Sequence, residues 1–306
     1  MDFKRLRILR ELADRGSVGA TAEALGVTPS AVSQQLKTLQ DELGVVLVEK
    51  SGRGVRLTEA GAAMARAAAE VAVAMARAEA TVDTYRRGWQ TQVKAAFFPS
   101  AAEMLLPGLL HRVKAIDGLH FEAHLEDPMV AGFASLAADY DIVLAHSVDG
   151  PDVFGRRGLV VVPLLNEPLD VAVPAGHILA SKASLTARDV VGFPWMGVPE
   201  GFPFDSVLQQ IEAQAGATAV RAQLFADLRV LEALVSSGHG LSLLPRYTSL
   251  GNQGHGFVLR PLTGVTARRS IVALARPEVA ARSTIQQVLG MLTEEARCLT
   301  DSLERA

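Results

Sequence analysis

The sequence predicts three parts in series. The first is a winged helix-turn-helix head, all helical apart from a small β wing, over residues 1–58. A linker helix over 59–88 follows, and then an α/β domain of two lobes over 89–306. Three observations carry this reading. Helix-spaced apolar residues before residue 44 are broken by Gly16 and Gly26. An alanine-rich stretch from Thr58 to about residue 87 has no glycine or proline after Gly61. From Val93 onward, strand-like and helix-like segments alternate.

In the head, Phe3, Leu6, Leu9 and Leu12 mark a first helix that Gly16-Ser17 ends. A second short helix spans roughly 18–25 and stops at Gly26. Thr28 caps a third, and Pro29 suits its first position because proline has no N–H to leave unpaired. Val32, Leu36, Leu39 and Leu43 form the buried stripe of that helix. Two short apolar runs flank Ser51-Gly52-Arg53-Gly54, which is a hairpin signal. Thr58 caps the long helix, whose 30 residues would reach about 45 Å at 1.5 Å per residue. Along it, Met64, Ala68, Val71, Met75, Ala78, Val82 and Tyr85 alternate steps of four and three, a heptad seam. Packing within its own domain is one reading of that seam. A helix of this length needs a partner along it, which favours dimerisation.

In the third part, strands are predicted at 93–97, 120–125, 141–145, 169–173, 195–198, 219–224, 241–244 and 270–275. Helices are predicted at 101–115, 129–138, 204–214, 227–237 and 279–302, with Ser100 and Glu103 read as a capping box. Strand–helix–strand–helix runs twice, over 93–145 and 195–244. This implies two related lobes with largely parallel pairing and a cleft between them. Ligands of such sheets sit at the carboxyl ends of strands, where Ser100, Glu200 and Asp227 fall.

Composition limits the function classes. The 306 residues are 49% hydrophobic and 21% charged, so the chain can bury a core and is not disordered. Cys298 is the single cysteine, which excludes an intrachain disulfide and a cysteine-built zinc site and fits a cytoplasmic protein. A signal-peptide pattern and a run of about 18 apolar residues are both absent, so no membrane partner is expected. The net charge is -3, yet residues 1–58 carry nine Lys/Arg against seven Asp/Glu, a mild pointer to a polyanion at the N-terminus. GxxxxGK[ST] and GxSxG motifs are missing, and no acid/base pair or triad spacing stands out. No catalytic residue, metal site or cofactor is therefore expected. His120 and His124 share a strand face but read as ordinary surface histidines. His239 reads as a turn residue and Cys298 as a buried or idle thiol.

The strongest signal is residues 18–36, helix, Gly26 turn, helix, with small Ala22 at the crossing. Opposite the buried stripe stand Thr28, Pro29, Ser30, Ser33, Gln34 and Lys37, mostly hydrogen-bonding side chains suited to base edges and phosphates. An ordinary helical hairpin with a solvated face is the alternative. The adjacent hairpin favours double-stranded DNA, because Arg53 would reach the minor groove or backbone.

Residues 1–87 resemble the N-terminal domain of LysR-type transcriptional regulators. The likeness rests on Ala22-Glu23-Ala24-Leu25, Pro29-Ser30-Ala31-Val32-Ser33, Leu39–Gly44 and Ser51–Gly61. The third part is similar to the family's effector domain through Phe98-Pro99-Ser100, Val235–Gly240 and Leu243-Leu244-Pro245. The resemblance implies a dimerising linker helix, a domain like periplasmic binding proteins, and homodimers that pair into homotetramers. It also implies promoter or operator binding modulated by a small-molecule effector. Gln34 stands where the family often has Arg; Gln favours adenine where Arg favours guanine. Val48 stands where Phe is frequent.

The resemblance points to Ser100, at a helix N-terminus, as an effector contact. Ala101 beside it, His146 at a strand end, Glu200-Gly201-Phe202 and Asp227 complete the candidate cleft. The effector class is open, with a carboxylate or an amino acid as candidates. Glu200 disfavours an anion unless it carries an amine. Two further readings remain: a small-molecule-binding module acting through protein contacts, and an enzyme on the same scaffold.

Overall fold

Three helices open the chain because each carries its own start and stop signal. They are α1 (Phe3–Arg15), α2 (Val18–Leu25) and α3 (Pro29–Leu43). Asp2, Ser17 and Thr28 cap them by accepting from Lys4 N, Ala20 N and Ala31 N. Gly26 ends α2 at φ 63°, a conformation other side chains resist. Leu6, Leu9, Leu12, Val32, Leu36 and Leu39 form the core of the head, and buried Ala22 lets α2 and α3 approach. The computed structural model describes residues 2–52, 54–83, 91–155 and 158–303.

The expected wing is the antiparallel hairpin of β1 (Val48–Ser51) and β2 (Gly54–Leu57). Gln40 Oε1 accepts from Leu47 N at 2.8 Å and Val48 N at 3.0 Å, which ties the wing to α3. Arg53, at its tip, lies outside the described residues. Thr58 accepts from Gly61 N and starts α4 (Glu59–Asp83). A Cβ at Gly61 would lie 1.9 Å from Leu47 O, so glycine is required where α4 passes beneath the wing. Ala65 and Ala68 are buried in the head core. Farther along, Val71, Met75 and Val82 of the seam are exposed. Tyr85 lies outside the described residues.

The first lobe runs β3 (Thr91–Phe97), α5 (Pro99–Val113), β4 (Leu119–Leu125), α6 (Val130–Leu136), β5 (Ile142–Ser147) and α7 (Asp152–Gly155). Strand β6 (Val160–Pro174) crosses to the second lobe. That lobe begins with a 3-10 turn (Ile178–Ser181), β7 (Leu185–Thr186) and α8 (Ala187–Val190). It continues through β8 (Pro194–Gly197), α9 (Pro203–Ala215), β9 (Val220–Leu224), α10 (Leu228–Ser236), β10 (Ser242–Pro245), α11 (Arg246–Ser249), a 3-10 turn (Leu250–Asn252), β11 (Phe257–Arg260) and β12 (Leu262–Thr263). The chain returns through β13 (Arg268–Ala275), α12 (Pro277–Ala280) and α13 (Ser283–Leu303). Each lobe has its own core, one around Phe97, Leu105 and Leu292, the other around Trp195, Val207 and Leu244.

The expected repeat is present as β3–α5–β4–α6–β5 and β8–α9–β9–α10–β10. The pairing differs from the largely parallel sheet expected. The main sheet runs β10-β6-β13-β5-β3-β4, with β11 also on β6. β3 pairs β4 and β5 in parallel, as β8 pairs β9, but every described contact of β6 and β13 is antiparallel. These two strands carry the chain between lobes in opposite directions, which periodicity does not reveal. The strand expected at 169–173 is the second half of β6, and the helix expected at 279–302 is divided into α12 and α13.

Candidate functional site

On α3, Val32, Leu36 and Leu39 face inward. Thr28, Pro29, Ser30, Ser33, Gln34 and Lys37 are all exposed. Ser30, Ser33, Gln34 and Lys37 follow the spacing of one helix face. Thr28 Oγ1 caps Ala31 N and lies 3.0 Å from Ser30 Oγ. Ser33 Oγ donates to Pro29 O at 3.0 Å, so it must turn to meet a ligand. The polar ends of Gln34 and Lys37 are free of protein partners among the described residues. Such a face, beside a hairpin anchored by Gln40, matches the shape and hydrogen-bonding needs of a major groove.

The second candidate site is a cavity of about 380 Å³ between the lobes. Ser100, His146, Phe202 and Asp227 line it, as expected, together with Phe98 and Arg269. Its centre is a buried polar cluster. Arg269 Nε and Nη2 donate to Glu167 Oε2 at 2.9 and 2.6 Å, and Nη2 donates to Ser100 Oγ at 2.8 Å. The guanidinium lies 5.2 and 5.5 Å from the ring centroids of Phe98 and Phe204. The other Glu167 oxygen accepts from Tyr247 N and Thr248 N. Both charges are thus paired, as their burial requires. Arg229 of the second lobe pairs with Glu103 of the first and with Glu232 of its own helix, bridging the mouth of the cleft.

Three details depart from the sequence reading. Phe98, not Ser100, is the N-cap of α5, and it makes no side-chain cap bond; Ser100 accepts from Arg269, and Glu103 is drawn to Arg229. Ala101 is fully buried in the first lobe's core and does not line the cavity. Glu200 is exposed and, with Gly201, borders a separate groove near Asp149 and Asp205. Gly201 has φ +81°, and a Cβ there would meet Met129 Cε at 2.7 Å, so it serves the loop contact between lobes. Asp227 caps α10 by accepting from Arg229 N. His120 and His124 are exposed around Glu122, and Cys298 is exposed rather than buried.

His146 is 1% exposed and packs against Phe98, Phe133, Phe202 and Phe204 at centroid distances of 4.4 to 6.2 Å. Burial pulls its pKa down to about 4, against the opposing pull of Asp127, so the imidazole is neutral at pH 7. Sequence reasoning missed Arg269, Glu167, Asp127 and Arg229. Arg268-Arg269 opening an apolar strand was the one local signal for the first, since a strand that buried must pair any charge it carries. No described group of three or more His, Cys, Asp or Glu side chains could hold a metal ion. No described helix is long and apolar enough to cross a membrane.

Comparison with known proteins agrees with both sites. The profile described as bacterial regulatory helix-turn-helix protein, lysR family, matches residues 3–62, and the LysR substrate binding domain matches residues 86–297. The transcriptional dual regulator GltC of Bacillus subtilis is 29% identical over 248 residues, covering 81% of this chain and 82% of its own. A full-length OxyR variant from Pseudomonas aeruginosa has the same fold, with a TM-score of 0.63 at 22% identity, covering 97% of this chain and 98% of its own. Full-length CbnR complexed with its target DNA gives a TM-score of 0.51 at 21% identity, covering 97% and 100%. With the helix-turn-helix and the two-lobed domain both matched over nearly their whole length, the chain belongs to the LysR family of transcriptional regulators.

Proposed function

We propose that this protein binds promoter DNA through α3 and the β1–β2 wing, and that a small molecule in the interlobe cavity alters how it sits there. The exposed face of α3 carries the proposal. Thr28, Pro29, Ser30, Ser33, Gln34 and Lys37 are the proposed contacts, with Arg53 at the wing tip. For the effector, Ser100, His146, Phe202 and Asp227 are the proposed contacts; Ala101, Glu200 and Gly201 are withdrawn because they do not line the cavity. The parts are assigned as head 1–58, linker 59–88 and effector domain 89–306. The protein acts in the cytoplasm as a regulator, not an enzyme, as a dimer along α4 or a tetramer of two such dimers.

Effector control requires two arrangements with different affinities for the ligand. The Glu103–Arg229 bridge and the two antiparallel crossing strands supply the hinge and the closing contact. Gel-shift assays on DNA flanking the protein's own gene and its neighbours, at low salt, test the proposal. A retarded complex is expected, with deletion of residues 1–58 abolishing it. Free DNA at every protein concentration, with and without candidate effectors, would remove the DNA-binding reading.

A further inference from the structure

The wall of the interlobe cavity formed by Asp127 and His146 has a polarity that restricts what it accepts. Among the described residues, four carboxylates line the cavity (Glu103, Asp127, Asp227 and Glu232) against two guanidiniums (Arg229 and Arg269). Neither guanidinium is free. Arg269 is held by Glu167, and Arg229 by Glu103 and Glu232. Glu232 also accepts from Ser249 and Asn252, and Asp227 from Arg229 N. Asp127 is different. The one partner of its carboxylate is His146 Nε2, 3.7 Å away and beyond hydrogen-bond distance.

His146 supplies the second observation. It is buried, its ring lines the cavity, and its Nδ1 has no hydrogen-bond partner. A neutral imidazole has one N–H and one lone pair. The N–H belongs on Nε2, because a lone pair there would face the Asp127 carboxylate. Nδ1 is then an acceptor. The unsatisfied groups on this wall, Asp127 and His146 Nδ1, are therefore both acceptors. A carboxylate ligand, which only accepts, meets no donor at either. A protonated amine, which only donates, satisfies both, and the nearby rings of Phe98 and Phe202 favour a cation with an apolar body.

We infer that the effector of this cleft carries a cationic nitrogen, held by Asp127 beside His146, on an aromatic or branched apolar body. This inference rests on the reading of the cleft as the effector site and narrows its ligand class. An amino acid meets it through its amine; a simple carboxylic acid does not.

Isothermal titration of the full-length protein with two matched series tests it. One is phenethylamine, phenylalanine and 3-phenylpropionate; the other is isoamylamine, leucine and 4-methylpentanoate. An amine-bearing member is expected to bind at least about tenfold more tightly than the acid of the same skeleton. Asp127→Asn should weaken that binding by about tenfold or more, and Asp127→Glu should restore most of it, which separates lost charge from a damaged fold. Tighter binding by either acid overturns the inference. So does absence of binding by every amine-bearing member, or an affinity unchanged in Asp127→Asn. Acid binding that Ser100→Ala abolishes would leave the cleft as the effector site while removing the cation. Binding untouched by both Asp127→Asn and Ser100→Ala would place the ligand elsewhere and remove both.

Discussion

His146 sits among four phenyl rings with its proton withheld by burial, and this has a consequence in solution. Its pKa is about 4 in the folded chain against about 6.5 for a free histidine. The unfolded chain therefore binds the proton first as pH falls. Stability is complete above about pH 6.5 and declines towards pH 4, by about 3 kcal/mol from this one group. Thermal melts from pH 7 to 4.5 should show a smaller loss in His146→Gln than in the parent. Equal losses would mean that His146 takes up its proton as readily folded as unfolded. At this scale the sequence was legible where function lies on one short element. The α3 face follows from helical spacing alone. Arg269 was not legible, because its partners Ser100 and Glu167 lie 169 and 102 residues away and no local pattern joins them.

Among the elements, α4 has two environments. Its first turns pack through Ala65 and Ala68 into the head, and Val71, Met75 and Val82 then emerge at 39–49% exposure. Apolar side chains at heptad spacing on an open face are the sequence of a helix with a missing partner. Replacing Met75 and Val82 together by Glu should weaken the dimer at least about a hundredfold, since each buried apolar side chain contributes roughly 1.5–3 kcal/mol. Sedimentation velocity over a dilution series reads this directly. An unchanged dimer would assign self-association to another surface. The sequence marked α4 well because its capping Thr58, its composition and its seam agree. It marked β6 poorly. The first half of that strand contains Pro163, Asn166 and Glu167, which break the apolar pattern, and its strand character comes from pairing with β13.

Across the whole molecule, β13 joins the two ends of the mechanism. Arg269 near its start sits in the cleft, and Arg276, just past its end, reaches the head. Arg276 Nη1 lies 2.8 Å from Glu11 and 3.5 Å from Asp14 of α1, and Arg10 lies 2.7 Å from Glu278. Arg15 lies 2.9 Å from Asp139 and donates to Ala138 O. Burial raises the Glu11 pKa, but Arg276 and Arg15 more than reverse this, so Glu11 stays charged. Burial raises the Asp14 pKa beyond what Arg10 and Arg276 offset, so acid loosens this junction first. Movement of β13 on ligand binding is thus passed to the helix against which α3 packs.

Arg276→Ala would leave Glu11 and Asp14 buried without that partner, a change of several kcal/mol at such sites. Hydrogen exchange in α1 should then speed up at least about tenfold, with α9 in the far lobe unchanged. Equal protection of α1 would mean that apolar packing on α4 alone holds the head. None of this junction was readable beforehand. Arg10, Glu11 and Arg15 looked like the solvated face of an amphipathic helix, and the surface that covers them comes from more than 120 residues away in sequence.

The central claim is that the exposed face of α3 reads DNA sequence. Selection of genomic fragments by the full-length protein, run beside the Ser33→Ala, Gln34→Ala double variant, tests it most directly. The account predicts a two-fold symmetric motif for the parent, its half-sites about 10 bp or a multiple apart. It also predicts that the double variant loses about 1–3 kcal/mol of discrimination at the positions those side chains read. Enrichment of no motif, or of the same motif with the same strength in both proteins, would contradict it.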